Sequence, residues 1–221
     1  MLTLHHLERS RSHRVLWLLE ELGLEYRIES YQRDAKTMLA PASLQAVHPL
    51  GKSPVLEDGE LVIAESGAIL EYLLDTYGQG RLKPAGGQTL VDYRYWMHYA
   101  EGSLMPLLVM KLVFSRIPKG PMPFLVRPVA RKLMAKVTQS FLQPQLSRHL
   151  AFIEQHLSRG DWFAGEFSAA DIQMSFVLEA AASRAGLDDC PNIMAFIERC
   201  RKNSQYQEAI RKGGPVILQA D

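Results

Sequence analysis

The chain has 221 residues, enough for two small domains or one large one with a substantial hydrophobic core. Its net charge of +1, with 47% apolar and 22% charged residues, excludes a disordered tail and a general polyanion binder such as a nucleic-acid-binding protein. No apolar run approaches the ~20 residues that span a bilayer, and the charged N-terminus lacks the apolar segment of a signal peptide. We therefore expect a cytoplasmic globular protein.

The two cysteines, Cys190 and Cys200, indicate a reduced setting. They do not form a C-x-x-C motif, and the sequence has no second pair that would complete a zinc site. We therefore expect free thiols and no metal centre.

The first 78 residues alternate predicted strands and helices. Residues 1–6 are mostly apolar, as in a short strand, and residues 11–22 carry apolar side chains at helical spacing, followed by Gly23 as a helix cap. Residues 25–31 alternate as a second strand. Because a helix separates these two strands, the pattern predicts a parallel β-α-β unit.

A β-hairpin and a helix complete this first unit. A weakly helical segment ends at Val47, and Asp58-Gly59 then separates predicted strands over 54–57 and 60–63, since Asp-Gly suits a tight turn. A further helix is predicted over 67–77, capped by Gly78.

The remaining sequence predicts a second, all-helical domain. Residues 79–87 are rich in glycine and proline and are typical of a linker. No strand pattern follows, and helices are predicted over 93–114, 125–157, 169–185, 193–201 and 204–212. We therefore predict an α/β domain over 1–78, a linker over 79–87 and an all-helical domain over 88–221.

The segment Ser10-Arg11-Ser12 lies between the first predicted strand and helix. Serines there commonly cap a helix, which alone accounts for them. A helix N-terminus also has unpaired N–H donors and a partial positive charge, so a serine hydroxyl there can donate to a bound thiolate and favour its charged form. The segment is therefore a candidate site of thiol activation.

The segment Gly51-Lys52-Ser53-Pro54 precedes the predicted hairpin. A proline there ordinarily marks the start of a strand, and Lys52 is ordinarily a solvated side chain. A cis Ser53–Pro54 bond, a form found in only ~5% of X–Pro bonds, would leave the Ser53 backbone free to pair with an extended peptide. Lys52 would then be placed to meet a carboxylate.

Glu65 and Ser66 stand at the start of the predicted helix over 67–77. Ser66 is a good N-cap, and this is its ordinary structural role. The same helix N-terminus can hold an α-carboxylate while Glu65 meets an α-ammonium, and together they would bind an amino-acid or γ-glutamyl group.

Three segments together resemble the glutathione transferase superfamily. They are S-R-S-H-R-V-L-W-L-L-E-E-L-G-L from Ser10, H-P-L-G-K-S-P-V-L-E-D-G-E-L-V-I-A-E-S-G-A-I-L-E-Y-L from His48, and F-S-A-A-D-I from Phe167. The resemblance covers nearly the whole chain. It implies an N-terminal thioredoxin-like domain that binds glutathione, and an all-helical C-terminal domain that shapes the site of the second substrate. It also implies a homodimer.

The resemblance also implies roles for the candidate residues. Ser10, or its neighbour Arg11 or Ser12, would activate the thiol. Ser53, before a cis Pro54, would pair through its backbone with the peptide of glutathione. Lys52 would bind the glycyl end, and Glu65 and Ser66 would bind the γ-glutamyl end. The chain resembles a serine-type or unclassified bacterial or fungal branch. His5 and His6 stand near the position where tyrosine-type members have their tyrosine, and the first helix begins without a cysteine.

The implied function is transfer of glutathione, whose thiolate is presented to an electrophilic, largely apolar co-substrate, as in detoxification. One alternative is glutathione-dependent peroxide or disulfide reduction. Another is a binding or regulatory protein that keeps the fold without catalysis, because fold does not fix function.

Two further features concern the helical domain. Ser168 and Asp171 have the spacing of a capping box, which predicts a helix start.

Between Glu101 and Glu154 the chain has eight lysines and arginines and no acid. This pattern is typical of a solvated face. It would also suit steering of glutathione, binding of an acidic substrate or contact with a membrane surface. Within this stretch, the proline-rich apolar segment 117–128 is a candidate lid over the second-substrate site.

Overall fold

A computed structural model describes residues 1–34 and 37–216. Residues 35 and 36, which follow the second predicted strand, and the last five residues of the predicted helical domain over 88–221 lie outside this range.

The N-terminal half is built on a four-stranded mixed sheet with the order β2-β1-β3-β4. The strands are β1 (Leu2–Leu7), β2 (Tyr26–Tyr31), β3 (Val55–Asp58) and β4 (Leu61–Ala64). β1 is parallel to β2 and antiparallel to β3, so the predicted β-α-β unit is confirmed. The crossover helix α1 (Ser12–Leu22) ends at Gly23, whose φ of +67° is the left-handed conformation expected of a glycine cap.

Two short helices complete this half, α2 (Ala42–Val47) and α3 (Ser66–Tyr77). The predicted hairpin is present, but its turn lies one residue later than expected. Asp58 still pairs with Leu61, so the two turn residues are Gly59 and Glu60. Gly59 has a φ of +61°, and glycine at the first central position of a two-residue turn accommodates such a backbone.

The C-terminal half is helical, and among the described residues no strand follows β4. Its helices are α4 (Gly87–Tyr99), α5 (Met105–Arg116), α6 (Arg127–Val137), α7 (Gln143–Leu157), α8 (Ala169–Ala185), α9 (Pro191–Lys202) and α10 (Ser204–Gly213). The predicted fold class, a thioredoxin-like domain followed by an all-helical one, is therefore confirmed. Within the described ranges, no helix combines the length and apolar character needed to cross a membrane.

The two longest predicted helices are each interrupted by a π-helical turn. Ala100–Leu104 joins α4 to α5, and Thr138–Leu142 joins α6 to α7. Each π turn is followed within two residues by a proline, Pro106 or Pro144. A proline has no N–H and clashes with the carbonyl four residues earlier, so local widening of the helix relieves the conflict. α4 also begins six residues before the predicted start.

Helix α1 lies between the sheet and the helical half, packing against α3, α8 and α10. Trp17 is fully buried on α1, with its ring 5.0 Å from that of Tyr206 on α10 and 5.7 Å from that of Phe167 before α8. One continuous apolar core therefore holds the start of α1, where the candidate residues lie, against both halves of the chain.

Candidate active site at the start of helix α1

Ser10 and Ser12 form a buried hydroxyl pair at the N-terminus of α1. Their Oγ atoms are 2.8 Å apart, and the Ser12 N–H donates to Ser10 Oγ at 3.2 Å. Arg11 occupies the N-cap position with helical backbone angles and makes no side-chain cap. Ser10 therefore satisfies one of the unpaired N–H groups of the helix start, while its hydroxyl stays beside the helix end.

His6 on β1 extends this pair, and sequence reasoning did not assign it a role. Its Nδ1 lies 2.7 Å from Ser12 Oγ, and its Nε2 lies 2.8 Å from the Gly213 carbonyl oxygen at the end of α10. Burial lowers the pKa of His6, against the opposing effects of the Gly213 carbonyl and Glu8. The only sequence indication was its position near the tyrosine of tyrosine-type relatives.

Ser53 brings the loop before β3 to the same place. Its hydroxyl donates to the His5 carbonyl at 2.9 Å and accepts the Leu7 N–H at 3.0 Å, and Ser10 Oγ lies 3.5 Å away. The Ser53–Pro54 bond is cis, so that prediction is confirmed. The structure thus places Ser10, Ser12 and Ser53 together.

Lys52 is exposed, and among the described residues it has no hydrogen bond or ion pair to another candidate side chain. Its sequence position beside Ser53 is what relates it to the site.

The prediction that Ser66 caps α3 is wrong. Glu65 occupies the N-cap position with a φ of +73°, and Ser66 is the first helical residue. The Ser66 hydroxyl accepts a hydrogen bond from Arg14 Nη1 at 3.2 Å, so its side chain is engaged by α1. A positive φ at a residue other than glycine is uncommon and clusters at ligand-binding positions.

Arg14 and Glu101 form an ion pair that links α1 to the helical half. Arg14 is fully buried, with Nη1 2.5 Å from Glu101 Oε1 and the guanidinium 5.0 Å from the Phe176 ring centre. Arg11 Nε binds Glu101 Oε2 at 2.9 Å. Although burial opposes ionisation of Glu101, the arginines, Arg14 foremost, lower its pKa. The charge of Arg11 is thus directed toward Glu101.

A cavity of about 570 Å³ lies beside the start of α3. Its walls include Glu65, Gly67, Arg94, His98 and Glu101. The cavity therefore extends from Glu65 to the carboxylate that pairs with Arg14. Arg14 and Glu101, like His6, were not assigned a role from the sequence.

The capping box predicted for the helical half is present. Ser168 and Asp171 form the capping box, which is confirmed. Cys190 and Cys200 are free thiols. Across residues 1–34 and 37–216, no group of three or more histidines, cysteines or acids is arranged to hold a metal ion.

The acid-free stretch 102–153 forms most of α5, α6 and α7 and the loop between α5 and α6. A cavity of about 560 Å³ lies between α5 and α6, with Lys111 and Arg131 beside apolar Phe114 and Met134. In the loop, Phe124 and Leu125 are 76% and 72% exposed. The positive charge is therefore interleaved with exposed apolar surface.

Comparison with known families and sequences gives a consistent assignment. The family model "Glutathione S-transferase, N-terminal domain" matches residues 1–75, and "Glutathione S-transferase, C-terminal domain" matches residues 122–203. Glutathione S-transferase 1 of Saccharomyces cerevisiae is 34% identical over 223 residues, covering 96% of this chain and 95% of that protein. Glutathione S-transferase 3 of Schizosaccharomyces pombe is 38% identical over 185 residues, covering 82% and 74%.

Solved structures agree with these relatives. A glutathione S-transferase from Actinobacillus pleuropneumoniae is 33% identical with a TM-score of 0.79, covering 96% of this chain and 93% of that one. A glutathione transferase homologue from Sulfitobacter, solved with bound glutathione, has the same fold at 21% identity and a TM-score of 0.77, covering 97% and 99%. The chain belongs to the glutathione S-transferase family of enzymes.

Proposed function

We propose that this enzyme binds glutathione and transfers it to an electrophilic, largely apolar co-substrate. In this reaction the thiolate attacks an electrophilic carbon and a carbon–sulfur bond forms. In a substitution the leaving group departs with the electron pair of the broken bond; in an addition the π electron pair moves to the neighbouring atom, which takes up a proton. The observation that supports it most is the convergence of Ser10, Ser12 and Ser53 at the start of α1. Glutathione-dependent turnover of an aryl halide tests the proposal, and a hydroperoxide tests the alternative of peroxide reduction.

The roles follow the positions of the residues. Ser10 donates to the sulfur, and the Ser53 backbone pairs with the peptide of glutathione. The start of α3 at Ser66 holds the α-carboxylate, because a helix N-terminus favours an anion, while Glu65 meets the α-ammonium. Lys52 meets the glycyl carboxylate as an exposed cation.

Ionisation of the thiol and orientation of the bound thiolate contribute unequally to the rate of transfer. A thiol with a pKa of about 8.5 is roughly 3% ionised at pH 7, and a pKa of about 6.5 raises this to roughly 75%. The less basic thiolate is about 8-fold less nucleophilic at a Brønsted slope of about 0.45, so the net gain is only about 3-fold. Orientation of the bound thiolate is therefore expected to contribute more.

The remaining assignments extend this proposal. We place the enzyme in the cytoplasm as a homodimer, and we place the second substrate beside the exposed apolar loop 117–128, which acts as a lid. Support comes from the exposed Phe124 and Leu125 and from the basic residues that flank them in the sequence, which would steer anionic glutathione toward the enzyme.

Glu65→Ala tests the γ-glutamyl site. Losing a charged hydrogen-bonding partner costs about 1.5–3 kcal/mol, so glutathione affinity measured by calorimetry should fall at least about 10-fold. Glu60→Ala, which removes an exposed acid from the hairpin turn, should leave the affinity unchanged and is the matched control. An equal dissociation constant for wild type and Glu65→Ala would remove Glu65 from the glutathione site.

A further inference from the structure

A chain of hydrogen-bonding groups leads from Ser10 into the interior. Ser10 Oγ lies 2.8 Å from Ser12 Oγ, which lies 2.7 Å from His6 Nδ1, and His6 Nε2 lies 2.8 Å from the Gly213 carbonyl. Ser12 is fully buried and His6 nearly so. The chain therefore connects the proposed thiol site to a histidine that water does not readily reach.

The Gly213 carbonyl fixes the direction of these hydrogen bonds. A carbonyl only accepts, so His6 Nε2 must carry a hydrogen. Burial lowers the pKa of His6 and so favours the neutral ring before glutathione binds; in that ring Nδ1 is an acceptor and the Ser12 hydroxyl donates to it. The Leu7 carbonyl, at 3.4 Å, is a longer alternative acceptor. Because Ser12 then gives its hydrogen to His6, the 2.8 Å contact between the two hydroxyls requires Ser10 to donate to Ser12 in preference to Ser53 Oγ, which is 3.5 Å away. The Ser10 hydrogen therefore points inward.

This direction suits a thiol but not a thiolate. With its hydrogen given to Ser12 and one lone pair accepting the Ser12 N–H, Ser10 Oγ offers its remaining lone pair to an incoming S–H. A thiolate needs the opposite, a donor. Ser10 can donate to sulfur and keep its bond to Ser12 only if Ser12 donates to Ser10 and His6 Nδ1 donates to Ser12.

We propose that His6 accepts the thiol proton of glutathione through Ser12 and Ser10. The S–H bond breaks as its proton passes to Ser10 Oγ. The Ser10 hydrogen passes to Ser12 Oγ, and the Ser12 hydrogen passes to His6 Nδ1, whose lone pair forms the new N–H bond. The products are a thiolate, accepting from Ser10, and an imidazolium. The net charge of the site and the bound glutathione does not change. This step rests on the proposed function.

The surroundings of His6 support a positive charge on the ring once glutathione is bound. Its Nε2–H keeps the same Gly213 acceptor in both states, and that carbonyl belongs to the last residue of α10, at the negative end of the helix dipole. Glu8 also favours the charged ring. Of the cationic or titratable groups nearby on α1, Arg14 is paired with Glu101, and burial lowers the pKa of His13 to about 3, so that His13 stays neutral.

The close approach of α10 to His6 depends on a glycine at position 213. A Cβ at Gly213 would lie 3.0 Å from His6 Cε1 and 2.4 Å from Leu16 Cδ1. Only glycine allows this contact without displacement of the helix end or the ring. The end of α10 thus orients a group on the first strand.

Proton release on glutathione binding tests the proposal. Calorimetry at pH 7 in buffers of different ionisation enthalpy gives the protons released, and ultraviolet absorbance gives the thiolate formed. The wild type should release about zero protons per thiolate, because the proton stays on His6. In His6→Asn and Ser12→Ala the thiolate fraction should fall, by about 10-fold for each unit by which the thiol pKa rises, and each thiolate should release about one proton.

His13→Asn is the matched control, because it replaces a neighbouring buried imidazole that makes no side-chain hydrogen bond to the serines, while the backbone bond from His13 N–H to the Ser10 carbonyl is kept. This variant should behave as the wild type. A wild-type ratio of about one proton per thiolate would overturn the proposal, and this result does not depend on any variant folding. Absence of glutathione binding or of thiolate in the wild type would instead contradict the proposed function.

Discussion

Glu101 is the residue on which both arginines of the site depend. Its carboxylate binds Arg11 and the fully buried Arg14, and Arg14 in turn holds Ser66 at the start of α3. Burial lowers the pKa of Arg14 and Glu101 raises it, so the pair is stable only while both members are present. The pair thereby joins the start of α1, the proposed thiol site, to the start of α3, the proposed γ-glutamyl site.

Glu101→Gln should therefore destabilise the protein. Removing one partner of a buried ion pair leaves an uncompensated charge and costs about 3–5 kcal/mol, measured as the free energy of unfolding in urea. Glu208→Gln, which breaks an exposed pair with Arg211, should leave the unfolding midpoint nearly unchanged. Equal midpoints for both variants would show that Arg14 needs no carboxylate.

The same residues show what sequence reasoning can and cannot reach. The position of the S-R-S segment at a helix start and the cis Ser53–Pro54 bond were predicted correctly, because turns and helix starts depend on residues that are neighbours in the sequence. Glu101 lies 87 residues from Arg14, and Gly213 lies 207 residues from His6, so only the folded chain brings these partners together. The Ser66 hydroxyl accepts a hydrogen bond from the Arg14 guanidinium instead of capping α3, as its local sequence favours.

At the scale of elements, periodicity located the helices and strands, and the misplacements have local causes. The hairpin turn moved by one residue because Asp58 still pairs in the sheet. The two long helices acquired π turns next to Pro106 and Pro144, a detail that apolar spacing does not reveal. The docking of α10 on α1 combines the ring contact between Trp17 and Tyr206 with a close approach at Gly213, which apolar spacing does not reveal either.

Gly213→Ala tests that docking. The added Cβ meets Leu16 at 2.4 Å, and overpacking of this kind costs about 1–3 kcal/mol. We expect a lower unfolding midpoint and a weakened His6–Gly213 bond, visible as a changed histidine ring nitrogen shift in NMR. Gly160→Ala, with nothing within 4 Å of its Cβ, is the control and should change neither quantity.

At the scale of the whole molecule, the apolar side chains left on the surface bear on the proposed homodimer. Leu61 and Val62 on β4 and Val91 and Tyr95 on α4 are each about half exposed. A two-fold dimer, the commonest closed arrangement of identical chains, would bury such side chains. Light scattering at micromolar concentration should give a mass of about twice 25.0 kDa, and a mass equal to one chain would contradict the dimer.

Thiolate absorbance followed against pH in wild type, Ser10→Ala and Arg11→Ala gives the pKa of the bound glutathione thiol and shows whether Ser10 activates it. We expect a wild-type midpoint below about 8.5, and a rise of about one to two units in Ser10→Ala with glutathione affinity little changed, since a hydrogen bond to a charged group contributes about 1.5–3 kcal/mol. Arg11→Ala should lie close to wild type, because Arg11 is directed toward Glu101. A midpoint unmoved in Ser10→Ala but raised in Arg11→Ala would contradict the central claim that Ser10 activates the thiol.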